Sequence, residues 1–235
     1  MTTPKFHAFC YCTVGSRAEI EKGMAGQDGR LYQRMLKNLA EYVTICDESG
    51  FAGFGHPEHH LQLEGLEVTG SPGLLSMFIG QHSKQLKVDV FGYVLNTHNP
   101  LRVAEDISML DHMLQGRLNV AFVRGYQHRW FSNLASVPGG VSAVGYWNKG
   151  EATDEHNRRA FEEAVAVIKT AWENETFTFE GEFWKFPANS KNPHEMDAYK
   201  RYGAGISEDM TIEKIGIAPH PYQSPHPPLY AGFTH

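Results

Sequence analysis

Four residues in the stretch His56-Pro57-Glu58-His59-His60 are of types that move protons. An unperturbed imidazole titrates near neutrality, so it can both hold and release a proton at working pH. Three readings are open: proton handling for a bound ligand, loop histidines without a task, or a zinc site. Adjacent His59-His60 fits zinc spacing poorly, and no third ligand group stands out. Arg124 closes the β-prone run Leu118 to Val123 and is followed by Gly125. An arginine at the end of a buried strand is costly without an anionic partner, either a ligand's phosphate or a neighbouring carboxylate. Gly125 lets the backbone approach a ligand closely. Gly92, in Val90-Phe91-Gly92-Tyr93, reads the same way or as a point where packed elements meet. Asn96, just beyond it, is either a hydrogen-bonding partner for a ligand's polar edge or an ordinary turn residue. Cys10 and Cys12, two apart on a first strand, share one face. They are buried small side chains, or else they do metal or redox work.

The chain from Leu95 to Gly125 shows how these residues are positioned. It reads as strand end, capped helix, tight turn and second strand, the repeating unit of a parallel α/β protein. Asn99 can cap the helix, and Pro100 takes the first helical position, where a missing N–H costs nothing. Leu101, Ala104, Ile107, Leu110 and Leu114 recur at helical spacing, and Gly116 supplies a left-handed stop. Before this unit, Phe6 to Thr13 reads as a strand. Leu31, Met35, Leu39, Tyr42 and Cys46 carry a helix closed by Gly50, and Phe51 to Gly55 begins a second strand. Ser71-Pro72 starts another helix, and Leu86 to Leu95 is a third strand. After it, Thr153 or Asp154 can cap a helix through Phe161, Val165, Ile168 and Trp172. Phe177, Phe179, Phe183 and Phe186 around Glu180-Gly181 predict a β-hairpin. Residues 187–216 show no period and are expected to form an excursion outside the core of a single domain, 1–235. Leu229 to Gly232 is a fifth parallel strand. Alternation of this kind predicts a (β/α)₈ barrel or a doubly wound sheet, and no G-x-G-x-x-G follows the first strand. Ligands in both folds bind at the carboxyl ends of strands, where His59, Gly92 and Arg124 would fall.

At 235 residues the chain can bury one sizeable core. A net charge of −6 offers no electrostatic footprint for nucleic acid or anionic membranes. No apolar run approaches the roughly 20 residues that span a bilayer, and the start of the chain lacks the regions of a signal peptide. Three cysteines make no disulfide framework, and a cytoplasmic setting is expected.

The order Asn99-Pro100-Leu101-Arg102-x-Ala104-Glu105-Asp106, then Leu110-Asp111, Gly116-Arg117 and Arg124-Gly125, resembles the bacterial luciferase-like flavin monooxygenases. The resemblance extends more weakly from about Phe6 to the C-terminus. It selects the TIM (β/α)₈-type barrel, with about five β/α units present. Because the family continues through three more units, a C-terminally truncated member is expected. It implies a monooxygenase using reduced FMN from a separate flavin reductase. Oxygen would be captured as a flavin C4a-peroxide and passed to an apolar or carbonyl-bearing small molecule. Glu58-His59-His60 matches the family motif whose first histidine lies beside the flavin, which implies His59 as catalytic base or hydrogen-bond partner, with Glu58 and His60 in the same group. Phe91–Gly92 is the implied place of a non-proline cis peptide against the flavin ring, Asn96 of a contact to its polar edge, and Arg124-Gly125 of a phosphate contact. Gly232 and Thr234 match a phosphate-binding Ala-Gly-x-Ser/Thr segment, although Phe233 departs from its small residue. A homo- or heterodimer is implied as well. Hydride transfer with the deazaflavin F420 and a non-catalytic flavin-binding relative are the alternatives the resemblance leaves open.

Overall fold

The computed structural model describes residues 4–188, 190–191 and 193–231. In chain order the elements are β1 (His7–Phe9), α1 (Arg17–Ile20), α2 (Gly29–Glu48), β2 (Gly53–His56), α3 (Pro72–Gln81), β3 (Lys87–Val94), α4 (Pro100–Met113), β4 (Leu118–Val123), α5 (His128–Leu134), α6 (Ala152–Glu173), β5 (Phe179–Glu180), β6 (Lys185–Phe186), α7 (Pro193–Tyr202) and β7 (Leu229–Ala231). They form two units. The first comprises the chain up to Val94, Leu110–Val123 and the chain from Pro227; the second comprises Leu95–Met109 and Arg124–His226.

The first unit holds a parallel sheet in the order β1-β2-β3-β4-β7. In-register Ala8, Phe54, Val88, Val90, Leu118 and Val120 are all buried on one face, as the near-continuous apolar runs of a covered parallel sheet require. The α2 helix starts at Asp28, whose carboxylate accepts the Arg30 and Leu31 N–H groups at 2.8 and 3.4 Å. It buries Met35, Leu39, Val43 and Cys46. Tyr42, expected on that stripe, is 43% exposed and sets its ring edge-on to Phe54 at 5.1 Å.

The opposite face carries a polar row that the sequence reading missed. Asp89 is fully buried, accepts from Asn119 Nδ2 at 2.6 Å and pairs with His7 Nδ1. These groups come from β4, β3 and β1, so the His7 ring has to cross β2. It crosses at Gly53, where a Cβ would fall on both His7 Nδ1 and Asp89 Oδ2. A glycine at that point is a packing requirement of the network.

The first strand is shorter than expected and stops at Phe9. Beyond it Cys12 takes a left-handed backbone with φ 52°, which ends the extended run. The turn is pinned by the Cys12 carbonyl accepting from Val68 N–H and the Gly65 carbonyl from Val14 N–H, at 3.2 and 2.7 Å.

In the second unit α6 buries Ala160, Ala164, Val167, Ile168, Ala171 and Trp172. The Trp172 indole donates to the Ala104 carbonyl at 3.0 Å. The predicted hairpin is present as β5 and β6, with Phe179 opposite Phe186. Glu163 anchors its turn by accepting the N–H groups of Glu182, Phe183 and Trp184 at 2.7–2.9 Å. The α6 helix begins after Glu151 rather than at Thr153 or Asp154. The Asp154 carboxylate sits inside the first turn and reaches back to the Gly150 N–H at 3.0 Å. Within 187–216 lie α7 and isolated antiparallel bridges, Lys191 to Thr211 and Ile206 to Ile212.

Candidate active site

His56 is the last residue of β2 and is fully buried. Its Nδ1–H donates to the Pro57 carbonyl at 3.1 Å, so Nε2 is the acceptor for the Ser76 hydroxyl at 2.9 Å. Burial holds its pKa down at about 4, with the ring neutral. His56 is thus a structural pin under the loop that follows. The unfolded chain binds a proton at this ring below its ordinary value of 6.5, whereas the folded chain does not until about pH 4. Stability therefore falls as pH drops through that window. Chemical denaturation at pH 7.5 and pH 5 is expected to show a loss of about 2 kcal/mol from this group, and His56→Asn should remove that part of the slope.

Glu58 is buried and both its oxygens are engaged. Oε2 accepts the Val94 N–H at 2.8 Å and Oε1 accepts His60 Nε2–H at 2.7 Å. One carboxylate thereby ties the loop after β2 to the end of β3 and orients His60. His59 is placed from the other side of the loop: its N–H donates to Thr69 Oγ1 at 3.0 Å, and the two residues form a short antiparallel bridge. Its ring is largely buried. Burial pushes its pKa below the ordinary value, while Glu67 opposes the shift. His59 Nδ1 lies 3.3 Å from Glu67 Oε2 but outside hydrogen-bond geometry, and it is a buried polar atom without a hydrogen-bond partner. A neutral imidazole with an unsatisfied ring nitrogen is equipped to accept a proton or to bond a ligand.

Gly92 stands across from this loop; a Cβ there would be 3.9 Å from the Glu58 main-chain N and 3.5 Å from Val123 Cγ2. Both are ordinary contacts, so crowding is not the reason for glycine. The reason is its backbone, with φ 128°, at a register shift between Phe91 and Tyr93. The cis peptide expected at Phe91–Gly92 is not present. Among the described residues the cis bonds are Phe186–Pro187, Ala218–Pro219 and Ser224–Pro225. The strand turns here by a bulge at a positive-φ glycine. The Phe91 ring stacks on Phe9 at 6.1 Å and fills the space left open at Gly55.

Asn96 and Arg124-Gly125 belong to the second unit. Asn96 is fully buried; its Nδ2 donates to the Asn157 carbonyl at 3.2 Å, while Oδ1 has no partner. Arg124 Nη1 donates to Asp154 Oδ1 at 2.6 Å. The Gly150 N–H and this guanidinium hold the Asp154 carboxyl below its usual range. The carboxylate reading of Arg124 is therefore realised, and its bonds to Asp154 both come from Nη1. Gly125 has φ 82°, the conformation that favours glycine. Gly232 and Thr234 lie outside the described residues. Trp130 and Phe131 are buried core residues.

The first unit thus brings together Glu58, His60, Gly92 and Val94, with His59 on the same short loop. Thr69, Glu67 and Ser76 were missed as partners, because nothing local in the sequence marks them.

A family model described as luciferase-like monooxygenase matches residues 16–231. The alkanal monooxygenase beta chain of Photorhabdus luminescens is 27% identical over 173 residues, covering 74% of this chain and 47% of that one. The oxygenase component of the flavin-dependent trigonelline monooxygenase of Acinetobacter baylyi is 22% identical over 203 residues, covering 86% and 44%. The chain spans about half the length of these curated relatives. Among solved structures, the oxygenating constituent of the 3,6-diketocamphane monooxygenase of a Pseudomonas putida plasmid, solved with FMN, superposes with a TM-score of 0.67. It is 16% identical, and the match covers 99% of this chain and 53% of that one. The expected fold class is borne out: a parallel five-stranded α/β sheet corresponding to about half of a luciferase-like TIM barrel. This chain belongs to the luciferase-like monooxygenase family.

Proposed function

We propose that this chain binds FMN and works as a flavin-dependent monooxygenase on an apolar or carbonyl-bearing small molecule. The observation that carries the reading is the His59 ring, buried and neutral with an unsatisfied Nδ1, on the loop that Glu58 ties to the end of β3. A buried nitrogen without a hydrogen-bond partner asks for a ligand, and Gly92 across from its loop leaves room beside the main chain for a flat ring. Reduced FMN, when bound, supplies the electrons that activate O₂.

His59 takes or returns the proton of the reaction at Nδ1. Glu58 is a positioning residue, fixing the orientation of His60 beside it. Gly92 presents main chain without a side chain, so a flat ring can approach. The family resemblance assigns Asn96, whose Oδ1 is buried without a hydrogen-bond partner, to a flavin's polar edge or ribityl chain. The family resemblance assigns Arg124 and Gly125 to the cofactor's phosphate, together with Gly232 and Thr234, which lie outside the described residues.

Two relatives described as a beta chain and an oxygenase component support two further parts of the proposal: a homo- or heterodimeric assembly, and reduced FMN delivered by a separate reductase. A cytoplasmic setting is also part of it, in keeping with the free cysteines Cys10, Cys12 and Cys46. No helix among the described residues is long and apolar enough to cross a membrane.

The phosphate contact can be separated from a structural role. Arg124→Ala is expected to weaken FMN binding about tenfold or more, the loss of a charge-assisted hydrogen bond, while riboflavin binding stays within a factor of two or so. Fluorescence titration with both ligands reads the difference. Equal weakening for FMN and riboflavin would assign Arg124 to the Asp154 ion pair alone. Tight binding of F420 with oxygen-independent hydride transfer would replace the monooxygenase reading.

A further inference from the structure

Cys10 and Cys12 take no part in the function proposed above, yet they are arranged for chemistry. They follow β1 at the point where the chain leaves the sheet, with Cys10 N–H donating to the Gly55 carbonyl at 3.0 Å. In a continuing strand, residues two apart would sit roughly 6–7 Å from each other on one face. The left-handed turn at Cys12 closes that gap, and the Cys12 thiol donates to Cys10 Sγ with the sulfurs 4.0 Å apart. The Cys12 main-chain N–H donates to the same sulfur at 3.3 Å. Two donors on one sulfur favour its thiolate, and the hydrogen bond Cys12 gives to that sulfur, with burial, keeps Cys12 protonated. Cys12 is 2% exposed, whereas Cys10 is partly open to solvent. Tyr32 and Tyr42 are the other titratable groups that sense this pair. The third thiol, Cys46 on α2, is buried and pushed up by burial.

We propose that Cys10 and Cys12 form a peroxide-sensitive dithiol, Cys10 attacking and Cys12 resolving, which closes a reversible disulfide. In the first step the Cys10 thiolate attacks one oxygen of hydrogen peroxide. The S–O bond forms, the O–O bond breaks, and the departing hydroxide takes up a proton to leave as water. Cys10 is then a sulfenic acid, oxidised by two electrons that the peroxide has received. In the second step Cys12 sulfur attacks Cys10 sulfur. The S–S bond forms, the S–O bond breaks, and hydroxide leaves with the Cys12 proton as a second water. Two thiols and one peroxide thus give one disulfide and two waters. The sulfurs need to approach by roughly 2 Å to reach bonding distance. A thiol reductant reverses the change by exchange.

The test uses the full chain, reduced, then exposed to hydrogen peroxide at neutral pH and read by intact mass and peptide mapping. The expected result is loss of two hydrogens within the peptide carrying Cys10 and Cys12, restored by dithiothreitol, with Cys46 still open to alkylation after unfolding. Cys12→Ser should stop at the sulfenic acid on Cys10, trapped by dimedone, and Cys10→Ser should leave Cys12 a thiol. The proposal is overturned if both thiols survive an exposure that oxidises glutathione in the same tube. Oxidation of Cys46 ahead of Cys10 would overturn it equally.

Discussion

Replacing His59 with alanine is expected to leave FMN binding nearly unchanged and to cut turnover on the order of a hundredfold or more. Positioned proton transfer contributes about 10²–10⁴-fold to a rate, and His59 is the group with an unsatisfied, buried ring nitrogen. Its ring is kept neutral because burial outweighs the attraction of Glu67. The backbone of the loop does not depend on that ring: the His59 N–H bonds Thr69, and the neighbouring Glu58 and His60 hold each other. The variant should therefore fold, retain the flavin and lose the proton step. Steady-state oxygen consumption with a reductase, beside an FMN titration, separates the two effects. Parental turnover in His59→Ala would remove this histidine from the chemistry.

The largest effect on stability is expected at Glu58. Its carboxylate is buried between the Val94 N–H and His60. Glu58→Ala removes both of these buried, charge-assisted hydrogen bonds, at a cost of about 3 kcal/mol. For a chain of this size that corresponds to a fall in Tm of roughly 6–12 °C. Glu58→Gln keeps an amide oxygen for Val94 and should cost less than half as much. Circular dichroism melting of the three proteins is sufficient, and an unchanged Tm in Glu58→Ala would show that the clamp contributes nothing to folding.

What the sequence made legible is what is local. The α4 helix begins where Asn99 and Pro100 say it should, and the Leu101 N–H bonds Asn99 Oδ1 at 2.9 Å. The hairpin follows from four phenylalanines around a Glu-Gly turn, and the parallel sheet follows from β/α alternation. What failed is what distant partners decide. The first strand stops early because Cys12 is turned by bonds to residues beyond the second strand. The α6 cap moved to Glu151 because Asp154 has Gly150 and Arg124 to satisfy. The cis peptide implied at Phe91–Gly92 gave way to a bulge, since a glycine with positive φ absorbs the extra residue.

The site shows the same division. His59, His60 and Glu58 could be singled out from residue type and from their place after a strand. That Glu58 clamps Val94, 36 residues away, could not. Nor could the His7–Asp89–Asn119 row, whose members lie 82 and 30 residues apart. The local traces of it are Asp89 between Val88 and Val90 and Asn119 between Leu118 and Val120, polar residues inside apolar runs.

We propose that the carboxyl ends of β2 and β3 hold the flavin ring, with His59 and the Gly92 main chain against it. A crystal structure of the protein soaked with FMN measures this directly. The ring is predicted within hydrogen-bond reach of His59 and in van der Waals contact with Gly92. A flavin seated elsewhere on the molecule, with His59 Nδ1 still unpartnered, would contradict it.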